Sequence, residues 1–216
     1  MADVSKKTHQ QMAWAGDWGN EYVDRNPLTI EEYEQLYIKD YAVTRDEINR
    51  EFLGDLPRDI SILEVGANVG VQLEFLTRLG FHNVRGIEIN EYAVAEAKKR
   101  RPTIEIIHGS GFTLPFRDGE FDLVFTSGVL IHISPKDVGG FMREMCRVTK
   151  KYIWGFEYYA PSYVEIQYRG YADLLWKTDF AKEFMMQCPG LRLAKEKKYP
   201  LTDGKNETQM FWLKKI

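Results

Sequence analysis

The stretch ILEVGANVGVQLEFL, Ile62 to Leu76, starts as an apolar run of the buried-strand type. It breaks at two glycines and resumes with apolar residues at helical spacing. A strand that feeds a glycine-rich turn and then a helix makes a crevice at the strand's C-terminal end. Glycine lets a ligand come close to the backbone there. The spacing excludes two common occupants. A dinucleotide fingerprint needs G-x-G-x-x-G, and Gly66-Ala67-Asn68-Val69-Gly70 lacks the middle glycine. A P-loop needs Lys and then Ser or Thr after its glycines, and none follows. What remains is E-x-G-x-x-x-G, with Glu64 in the strand end. A carboxylate in that crevice repels a pyrophosphate and suits an ammonium group.

Working outward, strand, turn and helix repeat. DISILEVG reads as a strand and VQLEFLTRLG as a helix closed by Gly80. NVRGIEIN is a second strand that ends at Glu88, 22 residues beyond Gly66 and well placed for ribose hydroxyls. Asn90 is the expected cap of EYAVAEAKKR. TIEIIHG is a third strand, FDLVFTSGVLIHI contains a fourth, and KYIWGFEYY is a fifth. Ser134, with Pro135 at the first helical position, is expected to start the helix PKDVGGFMREMCRVT. The alternation predicts parallel strands joined by crossover helices. The tail has no room for a crossover helix, and TDGKNE is a turn cluster. Leu191–Tyr199 is therefore expected to pair with Thr208–Lys214 as a hairpin. The fold class is α/β: a mainly parallel seven-stranded Rossmann-like sheet ending in an antiparallel hairpin.

Before Ile60 the chain reads differently. Residues 29–54 are helical in pattern, Thr44 and Glu47 form a capping box, and Pro57 stops the run. WAGDWGNEYVDRN, Trp14 to Asn26, fits neither the helix nor the strand period. Residues 1–9 are polar and expected to fray. We divide the chain into a lid segment, 1–43, and one domain, 44–216.

Bulk properties narrow the partners. The chain has 216 residues, of which 44% are hydrophobic, enough for a full core without metals. A net charge of −3 argues against a nucleic-acid partner. No apolar run of membrane length and no signal peptide is visible. Cys146 and Cys188 have no metal or redox spacing, which predicts free thiols and a cytoplasmic protein. Tyrosines and tryptophans concentrate in residues 14–41 and 152–176, where amphipathic rings could grip a polar ligand.

The glycine loop, Glu88, HGSGFTLPF and FDLVFTSGVLIHI together resemble a class I S-adenosylmethionine-dependent methyltransferase over about residues 44–214. The resemblance implies that Glu64, Gly66, Asn68 and Gly70 pass the methionine and ribose part of the cofactor. It implies that Glu88 binds the ribose hydroxyls, and that Ile89, Ser110, Gly111 and Phe112 surround the adenine. Many members carry Asp where Ser110 stands. Thr126 and Ser127 would line the methyl-transfer centre. More narrowly, WAGDWGNEYVDRN, FDLVFTSGVLIHISP and YRGYADLLWKTDFAKEF resemble the pseudaminic acid biosynthesis-associated methylases. The signature W-x-G-x-[aromatic]-G-x-x-Y-x-x-R-N is met by Trp14, Gly16, Trp18, Gly19, Tyr22, Arg25 and Asn26.

On that resemblance the N-terminal segment folds over the cofactor as a lid. Trp14 and Tyr22 could lie over the sulfonium, and Arg25 could hold a carboxylate. Thr126-Ser127-Gly128-Val129 lacks the block that holds a nucleobase amine. His132 is the candidate general base. His108, inside the third strand, is structural. Trp18, Tyr158, Tyr159, Tyr168 and Arg169 are candidate acceptor contacts. The expected activity is O-methylation of a sugar, sugar acid or nucleotide sugar in surface-glycan biosynthesis. A peptide methyltransferase and a non-catalytic cofactor-binding module are the alternatives. No metal is expected, and oligomeric state stays open.

Overall fold

A computed structural model describes residues 7–26 and 29–216. Its sheet follows from the pattern of apolar residues. Strand β1 (Ile62–Val65) is buried along its whole length. Ile62 faces one core, built with helices α3 (Ile30–Tyr41), α4 (Arg45–Leu53) and α5 (Val71–Arg78). Leu63 and Val65 face the opposite core, built with α7 (Val138–Val148) and α8 (Phe180–Gln187). Period-two alternation thus puts helices on both faces.

Strands β2 (Val84–Glu88), β3 (Glu105–His108), β4 (Phe121–Ser127) and β5 (Thr149–Tyr158) continue the parallel sheet. Helix α6 (Glu91–Arg100) starts at Asn90, whose side chain accepts from the Ala93 N–H. The hairpin is β8 (Leu191–Pro200) and β9 (Glu207–Lys215), with Tyr199 opposite Thr208. The order is β3-β2-β1-β4-β5-β9-β8, and β9 is antiparallel to β5. The chain reverses direction across the sheet between β1 and β4, so a crevice opens at their C-terminal ends.

Several expectations need correction. WAGDWGNEYVDRN is helical: α1 (His9–Ala15) and α2 (Asp17–Arg25) meet at Gly16. The break at Gly16 splits the segment into two short helices, which hides either period. Of residues 1–9, only 7–9 are described, and His9 already opens α1. Ser134 opens a turn rather than a helix, and α7 starts at Val138. Between β5 and α8 lies a small antiparallel pair, β6 (Val164–Glu165) and β7 (Trp176–Lys177), that no pattern announced. Cys146 and Cys188 form a disulfide rather than free thiols. Packing of α7 against α8 brings them together, so their spacing in the chain carries no sign of it. The cysteines therefore no longer support the cytoplasmic expectation. Among the described residues, no helix is long and apolar enough to cross a membrane.

Candidate active site

At the C-terminal ends of β1, β2 and β4, a cavity of about 370 Å³ lies under α1, α2 and α3. The turn after β1 forms its floor. Gly66 has φ 81°, and its N–H and that of Ala67 donate to the Ile87 carbonyl at 2.8 and 3.1 Å. A Cβ on Gly66 would lie 2.7 Å from Val129 Cγ2, so only glycine leaves this floor open.

Two carboxylates face this space. Glu88 is buried, and each of its oxygens accepts a backbone N–H, from Asn68 and from Asn90, both at 2.8 Å. Burial raises its pKa, and those N–H donors oppose the rise. Glu64 is 2% exposed, and its Oε2 has no partner. Burial pushes it well above the usual carboxylate range, the Arg45 charge pulls it back, and Glu88 adds to the rise.

The roof is fastened by polar contacts. Asn90 Nδ2 donates to the Trp14 carbonyl and to Asn20 Oδ1, both at 2.9 Å. Gln11 Nε2 donates to Ser110 Oγ at 3.0 Å, and the Tyr92 hydroxyl to Asp24 at 2.8 Å. Trp14 meets Tyr22 edge-on with centroids 5.1 Å apart.

His132 ends a 3-10 turn, Leu130–His132. Its Nδ1 lies 2.7 Å from the Leu174 carbonyl. A carbonyl only accepts, so Nδ1 carries the hydrogen and Nε2 keeps a lone pair. The ring packs on Trp14 at 4.5 Å and on Tyr168 at 5.4 Å. Burial lowers its pKa to about 4. The folded value lies below the unfolded one. Its contribution to stability is therefore full above about pH 6.5 and is lost as pH falls through about 4. A nitrogen-detected NMR titration is expected to show this ring neutral down to about pH 4; a midpoint near 6.5 would overturn the assignment.

The structure brings most sequence candidates to one wall. Trp14, Tyr22, Glu64, Gly66, Asn68 and Glu88 line the cavity, as do Ile89, Ser110, Gly111 and Phe112. Ser127, His132, Tyr158 and Tyr168 join them. Six candidates fall outside, each for a physical reason. Gly70 turns its back, and a Cβ there would meet Ile106 at 2.6 Å. Thr126 is fully buried within β4. Arg25 folds over the rings of Trp18 and Tyr22, at 5.4 and 5.3 Å. Trp18 is edge-on to Trp14 at 4.6 Å, and Trp14 forms the wall in its place. Tyr159 lies beneath the Lys198 ammonium, 3.5 Å from its centroid. Arg169 is exposed on a turn with φ 52°.

Sequence reading marked the aromatic cluster of residues 14–41 but named none of the α3 tyrosines as site residues. Tyr33, Tyr37 and Tyr41 stand four apart, and all three line the cavity. The i, i+4, i+8 spacing in IEEYEQLYIKDY was the available signal. Tyr37 accepts from Arg45 Nη1 at 2.9 Å, and Tyr41 shares a hydrogen bond with Thr208 at 2.9 Å. Gln10, Gln72 and Phe156 also line the space, without a motif to mark them.

Residues 63–152 match the methyltransferase domain family. The matched segment is therefore similar to a methyltransferase domain over about two fifths of the chain. It holds the floor turn, Glu88 and the loop after β4, while the roof helices and the α3 tyrosines lie outside it. A demethylmenaquinone methyltransferase of Beutenbergia cavernae is 36% identical over 89 residues, 41% of this chain and 36% of that protein. A probable S-adenosylmethionine-dependent methyltransferase of Mycolicibacterium smegmatis is 28% identical over 62% of this chain and 52% of its own length. The chain thus spans about a third to a half of the curated relatives it matches. In fold, it is similar to magnesium protoporphyrin IX methyltransferase from Synechocystis, solved with bound SAH. The TM-score is 0.69 at 12% identity, covering 94% of this chain and 97% of that one. The matched segment therefore sits in a Rossmann-like fold of the expected topology.

Proposed function

We propose that the protein is an S-adenosylmethionine-dependent methyltransferase acting on a small polar acceptor. The observation that carries this reading is the pairing of an unpartnered buried Glu64 oxygen with Glu88 across the Gly66 floor. When bound, S-adenosylmethionine supplies a methyl group on a sulfonium. Glu64 would hold its ammonium. Each Glu88 oxygen already accepts one N–H and keeps a lone pair for a ribose hydroxyl. Ile89, Gly111 and Phe112 would flank the adenine, with Ser110 at its edge. Trp14 and Tyr22 would lie over the sulfonium and keep water away. His132 Nε2, with a neutral ring, would accept a hydrogen bond from an acceptor hydroxyl and orient its oxygen.

The acceptor side is walled by Tyr37, Tyr41, Phe156, Tyr158 and Tyr168. Flat rings suit a sugar face, and this supports the finer reading of sugar O-methylation in glycan biosynthesis. Among the described residues, no Lys or Arg lines the cavity. With Arg169 exposed, a sugar acid or nucleotide sugar lacks the cation it would need, so an uncharged sugar is favoured. A peptide acceptor would want an open groove rather than this roofed cavity.

The test is incubation with methyl-labelled S-adenosylmethionine and a panel of neutral sugars, acidic sugars, nucleotide sugars and peptides. Label in neutral sugars is the expected result. Label in peptides alone would overturn the acceptor reading, and no cofactor binding by calorimetry would overturn the whole. The roof has its own prediction. A Cβ on Gly19 would lie 2.0 Å from the Trp14 carbonyl oxygen, so Gly19→Ala must push α1 off α2. Calorimetry is expected to show S-adenosylhomocysteine bound about tenfold more weakly. Unchanged affinity would show that the roof takes no part in binding.

A further inference from the structure

Arg45 is fully buried behind the cavity wall. Its Nη1 donates to the Tyr37 hydroxyl, while Nε and Nη2 have no hydrogen-bond partner. The guanidinium lies 4.6 Å from the centroid of Phe156, 5.3 Å from Tyr37 and 5.4 Å from Trp154. Rings offset only part of the penalty for burying a cation, and such a charge normally faces an anion.

Sheet register identifies the acid on the face that Arg45 covers. Glu64 on β1 pairs with Phe125 on β4, which pairs with Trp154 on β5. Registered neighbours in a parallel sheet project to the same face. Glu64, Phe125 and Trp154 therefore stand in one row, on the face that Arg45 covers. Phe125 and Trp154 pack with centroids 4.6 Å apart. Tyr37, bonded to Arg45, lines the same cavity as Glu64. A buried guanidinium and a buried carboxyl thus occupy one face, with no ion-pair contact between them.

Other groups facing Glu64 do not replace that cation. Tyr33 and Tyr37 on α3 are neutral phenols held protonated by burial. Glu88 on β2 is of like charge and opposes ionisation of Glu64, whereas Arg45 favours it.

We propose that Arg45 is a positioning residue that biases Glu64 toward its ionised form when a ligand ammonium approaches, and so makes the cavity wall selective for that ammonium. The proposal rests on the cofactor reading above. Glu64 alone, buried beside Glu88, would take up a proton and lose its attraction for an ammonium. Arg45 supplies a field that opposes this from behind the aromatic wall, where it cannot itself repel the ligand by contact.

The test compares two probes. S-adenosylhomocysteine carries the ammonium; methylthioadenosine keeps the adenosine thioether and lacks it. Both are titrated calorimetrically into the wild-type protein, Arg45→Met and Arg45→Lys. At pH 7, Arg45→Met is expected to bind S-adenosylhomocysteine about tenfold more weakly and methylthioadenosine almost unchanged. The loss should shrink as pH rises and Glu64 ionises unaided. Arg45→Lys keeps a cation and should retain most of the affinity. If Arg45→Met fails to fold, Arg45→Lys carries the test: its smaller loss should vanish when Glu64 is already Gln. Equal weakening of both probes, or a loss that persists in Glu64→Gln, would overturn the proposal. A wild-type protein that binds methylthioadenosine with no preference for S-adenosylhomocysteine would overturn it too. Wild-type protein that binds neither probe would remove the cofactor reading, and the proposal with it.

Discussion

Glu88→Ala should bind S-adenosylhomocysteine about a hundredfold more weakly than the wild type. The carboxylate does two jobs at once. Inward, it accepts the Asn68 and Asn90 N–H groups, and so fixes the turn after β1 against the start of α6. Outward, its remaining lone pairs face the cavity, where ribose hydroxyls would donate. Hydrogen bonds to a charged acceptor contribute about 1.5–3 kcal/mol each, and alanine leaves both backbone donors unpaired. Glu88→Gln should fall between, since an amide offers one oxygen in place of two. Calorimetric titration measures all three proteins. Wild-type affinity in Glu88→Ala would show that the ribose assignment is wrong.

Trp154→Ala should lower folding stability by about 3–5 kcal/mol. Trp154 is 1% exposed in the middle of β5, with Phe125 packed on one side and Arg45 over its face. The substitution opens a cavity between sheet and helices. It also strips one of the three rings around a buried cation. The indole nitrogen has no partner, so the loss is one of packing rather than hydrogen bonding. Trp154→Phe should cost much less, because a ring remains under the guanidinium. Urea unfolding of the three proteins checks this, and a loss below about 1 kcal/mol for alanine would contradict it.

How far the site could be read in advance differs by segment. The turn from Glu64 to Gly70 and the acid at Glu88 were legible, because chain spacing there equals spatial arrangement: one strand end, one turn, one helix start. The same holds for the hairpin, whose register from Leu191 to Tyr199 came from local turn residues. The roof was legible only by resemblance, since a glycine break at Gly16 hides two helices. Arg169 was chosen for its charge and stands in solvent. The α3 tyrosines fell within the aromatic cluster of residues 14–41 but were not singled out, although their spacing was on view.

The sequence by itself determined the fold class, the sheet's direction of travel and the carboxylates on the cavity floor. Those depend on periodicity and on residues close together in the chain. Only the tertiary structure decided which aromatic side chains close the cavity, that Cys146 meets Cys188, and that Arg45 stands behind Glu64. Each of these joins distant segments across a packed interface, where complementarity of shape and charge leaves no trace in local spacing.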